Sequence, residues 1–346
     1  MNAALNELLK QTSRSFYLTL RVLPARVRPQ IGLAYLLART TDTIADTEIL
    51  PVAQRLDALQ KLRERILGQT SAPLNFGALA EKQNLSAEKL LLEKVEASLA
   101  ALKILSPTDL KLVREVLTTI TSGQELDLRR FGGSATGNHS DKKIIALETA
   151  SELDDYTYRV AGCVGEFWTK ICRAHLFPSA KLDEKQFIND GIRFGKGLQL
   201  VNILRDLPAD LKNGRCYLPV QRLDEVKLLP ETLLSPANAQ KFLPLYRDYL
   251  DKAESHLAAG WRYTNTLPFG EFRLRLACAW PILLGIKTIE KLRAANVIEL
   301  QQRVKISRRE VWKIIFHSLV CSPFPSAWRK LYLPSVKAVD SGGELA

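Results

Sequence analysis

Apolar residues recur along most of the chain at intervals of three and four, with charged residues between them, which is the spacing that lays a hydrophobic stripe along one face of an α-helix. Alternating Val/Ile/Thr runs of the kind that form strands are few. The pattern predicts helices over 26–46 after Pro24, 51–68 between Pro51 and Gly68, 86–104 after a Ser86 cap, and 107–131 opened by Pro107 and Thr108. Further helices are predicted over 144–176, 185–211, 236–264, 270–295 and 308–318. The breaks at 131–140 and 264–270 separate stretches of the same composition, so the reading is one all-α domain over 1–335, a large helical bundle, with a frayed Gly- and Ser-containing tail at 336–346.

With 346 residues and 46% hydrophobic composition the chain can bury a sizeable core. Its 49 Lys+Arg against 37 Asp+Glu leave a formal charge of +12, which suggests an anionic partner: nucleic acid, an acidic membrane surface or a phosphorylated substrate. Nucleic acid is disfavoured, because the basic residues are spread over most helices without an aromatic platform or a recognition-helix pattern. Five cysteines without a CxxC pair indicate neither a disulfide framework nor a zinc site, and fit a reducing compartment. The longest apolar stretch, 276–286, is far short of the roughly 20 residues needed to cross a bilayer, and the N-terminus lacks a signal-peptide core. The expectation is a cytoplasmic chain, soluble or peripheral on the inner face of the membrane.

Chemistry concentrates in two segments. Asp42 and Asp46 stand four residues apart on one helix face, among Leu33, Leu36, Leu37 and Ile44. Asn202, Asp206 and Asp210 fall at i, i+4 and i+8, again on one face, among Leu198, Val201, Ile203 and Leu204. Repelling carboxylates on such apolar helices need a cation or a basic partner. Mg2+ suits hard oxygen ligands that leave positions open for phosphate, and Arg14, Arg39, Arg205, Lys212 and Arg215 stand close enough in sequence to grip phosphate oxygens. The four histidines show no metal-binding spacing, and neither a GxGxxG nor a Walker motif is present.

Five ordered blocks then resemble the squalene/phytoene synthase family, the head-to-head branch of the isoprenyl diphosphate synthases: QTSRSF at 11–16, YLLARTTDTIAD at 35–46, YTYRVAGCVG at 156–165, GLQLVNILRDLPADLKNGRCYLP at 197–219, and RVKISRR at 303–309. The resemblance implies an isoprenoid-synthase bundle with a central active-site cavity. It makes Asp42, Asp46, Asp206 and Asp210, with Asn202, the ligands of a Mg2+ cluster. Ser13, Arg14, Phe16, Tyr35, Arg39, Gln199, Asn202, Arg205 and Arg215 become substrate-binding residues, and Tyr156 lies beside the reacting carbons. Lys305, Arg308 and Arg309 become the NADPH-binding cations, with Ser307 where a second basic residue is often found. An aromatic wall round a carbocation is expected from Phe16, Tyr35, Tyr156, Phe167, Trp168 and Phe194.

The sequence departs from the family pattern where Ala45 and Ala209 replace acidic residues, and Pro208 is expected to end its helix near Asp210. The resemblance implies two prenyl diphosphate substrates, most readily farnesyl diphosphate, joined through presqualene diphosphate to squalene with NADPH. Phytoene or dehydrosqualene synthesis, presqualene diphosphate formation without reduction, and a non-catalytic assembly role stay open. The chain looks most like a bacterial squalene synthase, without the C-terminal membrane anchor of eukaryotic forms.

Overall fold

The computed structural model of the protein describes residues 3–13, 16–132, 143–295 and 303–332; Arg14, His139 and the tail at 336–346 lie outside them. Among the described residues the architecture is all-α, as expected. In chain order the helices are α1 (Ala3–Thr12), α2 (Tyr17–Val22), α3 (Arg28–Ala45), α4 (Val52–Leu67), α5 (Gly77–Ala80), α6 (Ser86–Glu93), α7 (Val95–Leu102) and α8 (Pro107–Phe131). Then follow α9 (Ala150–Thr157), α10 (Cys163–Leu176), α11 (Glu184–Lys212), α12 (Val220–Glu225), α13 (Ala239–Thr266), α14 (Phe272–Ala294), α15 (Arg308–Cys321) and α16 (Pro325–Arg329). Two hydrophobic clusters fill the interior, one built on α3, α4, α7, α8 and α10 and the other on α11, α13 and α14, and Val22 and Phe194 pack against both.

Local signals set many of the boundaries. Ser106 accepts a hydrogen bond from the Asp109 amide at 3.1 Å and Pro107 opens α8, while α4 stops at Gly68, whose φ of 74° is left-handed. Elsewhere the prediction needs correction. The 86–104 helix breaks at Lys94 into α6 and α7. The 144–176 helix begins only at Ala150, where Thr149 accepts from the Glu152 amide at 3.2 Å. Before it, β1 (Ile145–Ala146) pairs in parallel with β2 (Arg215–Cys216), and the chain between α9 and α10 widens into one π-helical turn, Tyr158–Gly162. The β1–β2 bridge ties the segment after α11 back to the start of α9.

Glycines let α10 and the π turn lie directly on α11. A Cβ on Gly165 would overlap the Gly191 carbonyl, and one on Gly195 would overlap the Ala161 carbonyl. Backbone therefore meets backbone along this crossing. α11 runs through Pro208 and ends at Lys212, two residues past Asp210 and within one residue of the predicted end, so Asp206 and Asp210 share one continuous helix. Proline removes the amide that would bond the Leu204 carbonyl one turn earlier, and the buried Tyr246 hydroxyl on α13 donates to that carbonyl instead, at 3.0 Å. A lateral partner has replaced the missing helical one.

Replacing Tyr246 by Phe leaves the Leu204 carbonyl without a donor and should cost about 1–3 kcal/mol of folding stability. Chemical denaturation checks this, and an unchanged midpoint would show that the hydroxyl does not support the helix past Pro208.

Candidate active site

A cavity of about 270 Å3 opens between the helices that carry the sequence motifs. From α3 it takes Asp42, Ala45 and Asp46; from α8 Gly123, Gln124, Asp127 and Phe131; from α9 Tyr156; from α11 Gln199; and from β2 and the residue after it Arg215 and Tyr217. The apolar sides of these helices are in the core, and Asp42, Asp46, Gln124 and Asp127 are the polar side chains that they turn to the cavity.

Burial, and after it the crowding of like charges, sets its electrostatics. Asp42 is surrounded by protein yet keeps 46% of its side-chain surface, which opens into the cavity. Burial first, and then Asp46, push its pKa up to about 7, against the pull of Arg39 and a hydrogen bond donated by the Gln124 amide. Burial also raises Asp46, opposed by Arg39 and Arg215. Arg39 lies 3.9 Å from Asp42 but 2.6 Å from Glu88, so most of its hydrogen bonding goes to Glu88.

The second motif repeats this arrangement. Arg205 makes a two-pronged contact with Asp206 at 2.9 and 3.0 Å, and Arg303 also pairs with Asp206. Asp210 is pushed up to about 7 by burial and by Asp206, and is drawn down by Arg215. Arg215 faces both motifs, since it lowers Asp46, Asp127 and Asp210 together, while its guanidinium bonds Glu48 at 2.7 Å.

A third carboxylate completes the cavity. Asp127 is pushed up to about 6, chiefly by burial, and accepts the Tyr217 hydroxyl at 3.0 and 3.2 Å. Tyr217 stacks on Tyr156 with ring centroids 4.8 Å apart, so the Tyr156 ring adjoins the phenol that donates to Asp127. Burial raises both phenols above their ordinary range and keeps them protonated.

The structure thus brings together Asp42, Asp46, Tyr156, Gln199 and Arg215 in the cavity wall, with Asp210 close enough to act on Tyr156 and Asp127. Asn202 lies on α11 between Gln199 and Asp206, at the helical spacing that the sequence suggested. Ser13 is buried with its hydroxyl donating to the Leu9 carbonyl at 2.5 Å. Phe16 and Tyr35 stack on each other at 5.4 Å, and the Tyr35 hydroxyl donates to the Thr12 carbonyl at 3.3 Å.

The expected aromatic wall needs correction. Phe167 and Trp168 belong to the α8–α10 side of the core, and Phe194 faces α13, where its ring lies against Gly260. Helical phase turns all three away, and the rings of the cavity are Phe131, Tyr156 and Tyr217. Lys305, Arg308 and Arg309 are exposed, and within 303–309 it is Arg303 that reaches the second aspartate motif.

Gln124, Asp127, Tyr217 and Arg303 escaped the sequence reading. Gln124 and Asp127 stand at i and i+3 beside Gly123 on a helix whose other buried positions are mostly apolar, a signal that was available. Tyr217 and Arg303 lay inside quoted blocks without an assigned role.

The donor chemistry fits a hard divalent cation: each motif presents two carboxylates four residues apart, one of them strongly raised by burial and by its neighbour. Among the described residues no three Asp, Glu, His or Cys side chains converge to hold an ion alone. Any cation here would keep positions open for ligand oxygens, as Mg2+ does.

Similarity to known proteins agrees with this arrangement. Residues 9–310 match the family model described as squalene/phytoene synthase. The chain belongs to the squalene/phytoene synthase family. It is 32% identical over 254 residues to a bifunctional lycopene cyclase/phytoene synthase of Colletotrichum graminicola, covering 72% of this chain and 39% of that protein. It is 26% identical over 327 residues to the squalene synthase of Schizosaccharomyces pombe, covering 92% of this chain and 66% of that one. The chain thus spans about two fifths and about two thirds of these relatives. A solved complex of TcSQS with the ligand BPH1237 superposes with a TM-score of 0.74 at 20% identity, covering 97% of this chain and 92% of the other, which supports the fold. Members of the squalene/phytoene synthase family are prenyl-transferring enzymes that act on prenyl diphosphates.

The raised carboxyls give a pH test. A group whose pKa rises from 3.8 to about 7 on folding binds its proton more tightly in the folded chain, so stability falls as pH rises through that window. Without Mg2+, the melting temperature should therefore drop between about pH 5 and about pH 8, and added Mg2+ should raise it more at the upper end. A melting temperature indifferent to Mg2+ at both ends would exclude the aspartate pairs as a cation site.

Proposed function

We propose that the chain is a Mg2+-dependent squalene synthase that joins two farnesyl diphosphates head to head through presqualene diphosphate and reduces the product with NADPH, working at the inner face of a membrane. The observation that carries the shared chemistry is the cavity itself, with an aspartate pair from α3, the Asp206/Asp210 pair of α11 beside it, and Tyr156 and Arg215 close to both. An allylic C1–O bond breaks with its electron pair leaving on diphosphate, which requires cationic neutralisation in a water-poor site. Asp42, Asp46, Asp206 and Asp210, with Asn202, would hold Mg2+, whose chemistry is neutralisation of the departing diphosphate. Arg215, Arg205 and Arg39 orient diphosphate oxygens, each now held by a carboxylate that substrate would displace or share. Ser13, Arg14, Phe16, Tyr35 and Gln199 complete the proposed substrate contacts.

The farnesyl cation is attacked at C1 by the double bond of the second substrate, and a proton leaves carbon as the cyclopropane closes. We assign that proton to the chain Tyr156–Tyr217–Asp127: Tyr156 accepts it on oxygen while passing its own proton to Tyr217, and Tyr217 passes one to Asp127. The carboxylate is ionised above about pH 6 and is the natural end of the relay.

For the second step, Arg303 holds the basic 303–309 segment at the second aspartate motif, leaving Lys305, Arg308 and Arg309 exposed for the phosphate of NADPH. The same tyrosine–aspartate relay favours the other reading, a phytoene- or dehydrosqualene-type synthase that ends by losing a proton, and a phytoene synthase domain is among the relatives. Product analysis separates them. Purified protein with farnesyl diphosphate, Mg2+ and NADPH should yield squalene; dehydrosqualene or presqualene diphosphate alone as the product would overturn that reading.

Asp42→Ala and Asp206→Ala should each abolish turnover with the circular dichroism spectrum intact, and activity surviving both would remove the metal-site argument. Asp127→Asn should lower kcat about 10²–10⁴-fold and remove the acid limb near pH 6 from the rate profile, whereas a purely structural Asp127 would leave that limb in place.

A further inference from the structure

Every Phe or Trp that is more than a third exposed among the described residues lies in two neighbouring segments near the C-terminal end. Trp312, Phe316, Leu319 and Val320 fall on one face of α15, and Phe324 follows it, all between 47% and 70% exposed. The opposite face is the packed one: Ile315, Ser318 and Cys321 are buried, and the Ser318 hydroxyl accepts a hydrogen bond from the Trp280 indole of α14 at 2.8 Å. α15 is therefore amphipathic in the wrong sense for a core helix, with its largest apolar side chains turned outward.

Phe269 and Phe272, in the turn into α14, extend this surface. The Arg275 guanidinium lies 5.4 Å from the Phe269 ring and 4.7 Å from that of Trp328 on α16, which joins the turn to the C-terminal helices. Charge round α15 and α16 is mostly of one sign. Lys313, Arg329 and Lys330 are exposed, whereas the one acid between 308 and 332, Glu310, is bonded to Lys291 at 2.8 Å and to its own helix cap, and Glu271, the acid of the turn, is half-buried. A second copy placed face to face would bring these cations together. An acidic lipid surface would instead take the rings into its headgroup layer and the cations against its phosphates.

We propose that α15, α16 and the turn at 267–272 form the membrane-docking surface of this protein, and that its occupant is a bilayer containing anionic phospholipid. The inference deepens the peripheral location proposed above and is independent of which hydrocarbon is made.

The experiment is flotation of the full chain with vesicles of phosphatidylcholine alone or mixed with phosphatidylglycerol. Binding is expected only to the mixed vesicles, with release by salt. Trp312→Ser combined with Phe316→Ser should weaken it at least about tenfold, while melting temperature and turnover of farnesyl diphosphate in detergent solution stay unchanged. Lys313→Gln and Lys330→Gln should each weaken it roughly fivefold. Equal binding to both vesicles, or none, overturns the proposal. So does sedimentation showing a wild-type dimer that Trp312→Ser with Phe316→Ser converts to monomer, because a second copy would then cover the face. Vesicle binding needs no catalysis, so failure of the enzymatic reading would leave this result interpretable.

Discussion

Five carboxylates held near one cavity repel one another, and burial charges each a desolvation cost that cavity water only partly relieves. The surrounding structure distributes too little positive charge to cancel them. Arg39 is divided between Asp42 and Glu88, Arg215 between Glu48 and the cavity, and Arg205 and Arg303 both attend to Asp206. Asp42 and Asp210 are left as the least compensated members of their pairs. That residual imbalance is what a cation and a diphosphate, arriving together, would neutralise.

Such a site needs rigid walls, because carboxylates on mobile elements would relax apart. The glycine crossing of α10 on α11 and the continuation of α11 past Pro208 supply that rigidity in different ways. In the first, absence of side chains brings two backbones into contact. In the second, Tyr246 restores a hydrogen bond that the sequence of α11 forfeits. Asp206 and Asp210 keep their one-turn spacing because a residue far along the chain fills the gap.

These cases also mark what could be read from the sequence. α4 and α8 carried their own punctuation in Pro51, Gly68 and Pro107, and the aspartate pairs were visible because i, i+4 is a local relation. The β1–β2 bridge and the bond from Tyr246 to the Leu204 carbonyl depend on partners distant in sequence, so no window along the chain contained them. Asp127 is one of four acids on α8, and although its place three residues after Gln124 was visible, the bond from Tyr217 is what ties it to the cavity. The aromatic wall failed for a related reason: residue type nominated Phe167, Trp168 and Phe194, whereas helix phase decides which rings reach the cavity.

The same dependence on distant partners connects the surface to the site. Arg303, which pairs with Asp206, precedes by only four residues the Ser307–Glu310 capping box that starts α15. Lys291 holds the intervening stretch through the Lys305 carbonyl at 3.1 Å and through Glu310. This short stretch joins the cap of α15 to the guanidinium on Asp206. Part of the basic excess that first suggested an anionic partner therefore lies at two places joined by a few residues: one set of cations beside buried carboxylates, and another round an exposed apolar helix.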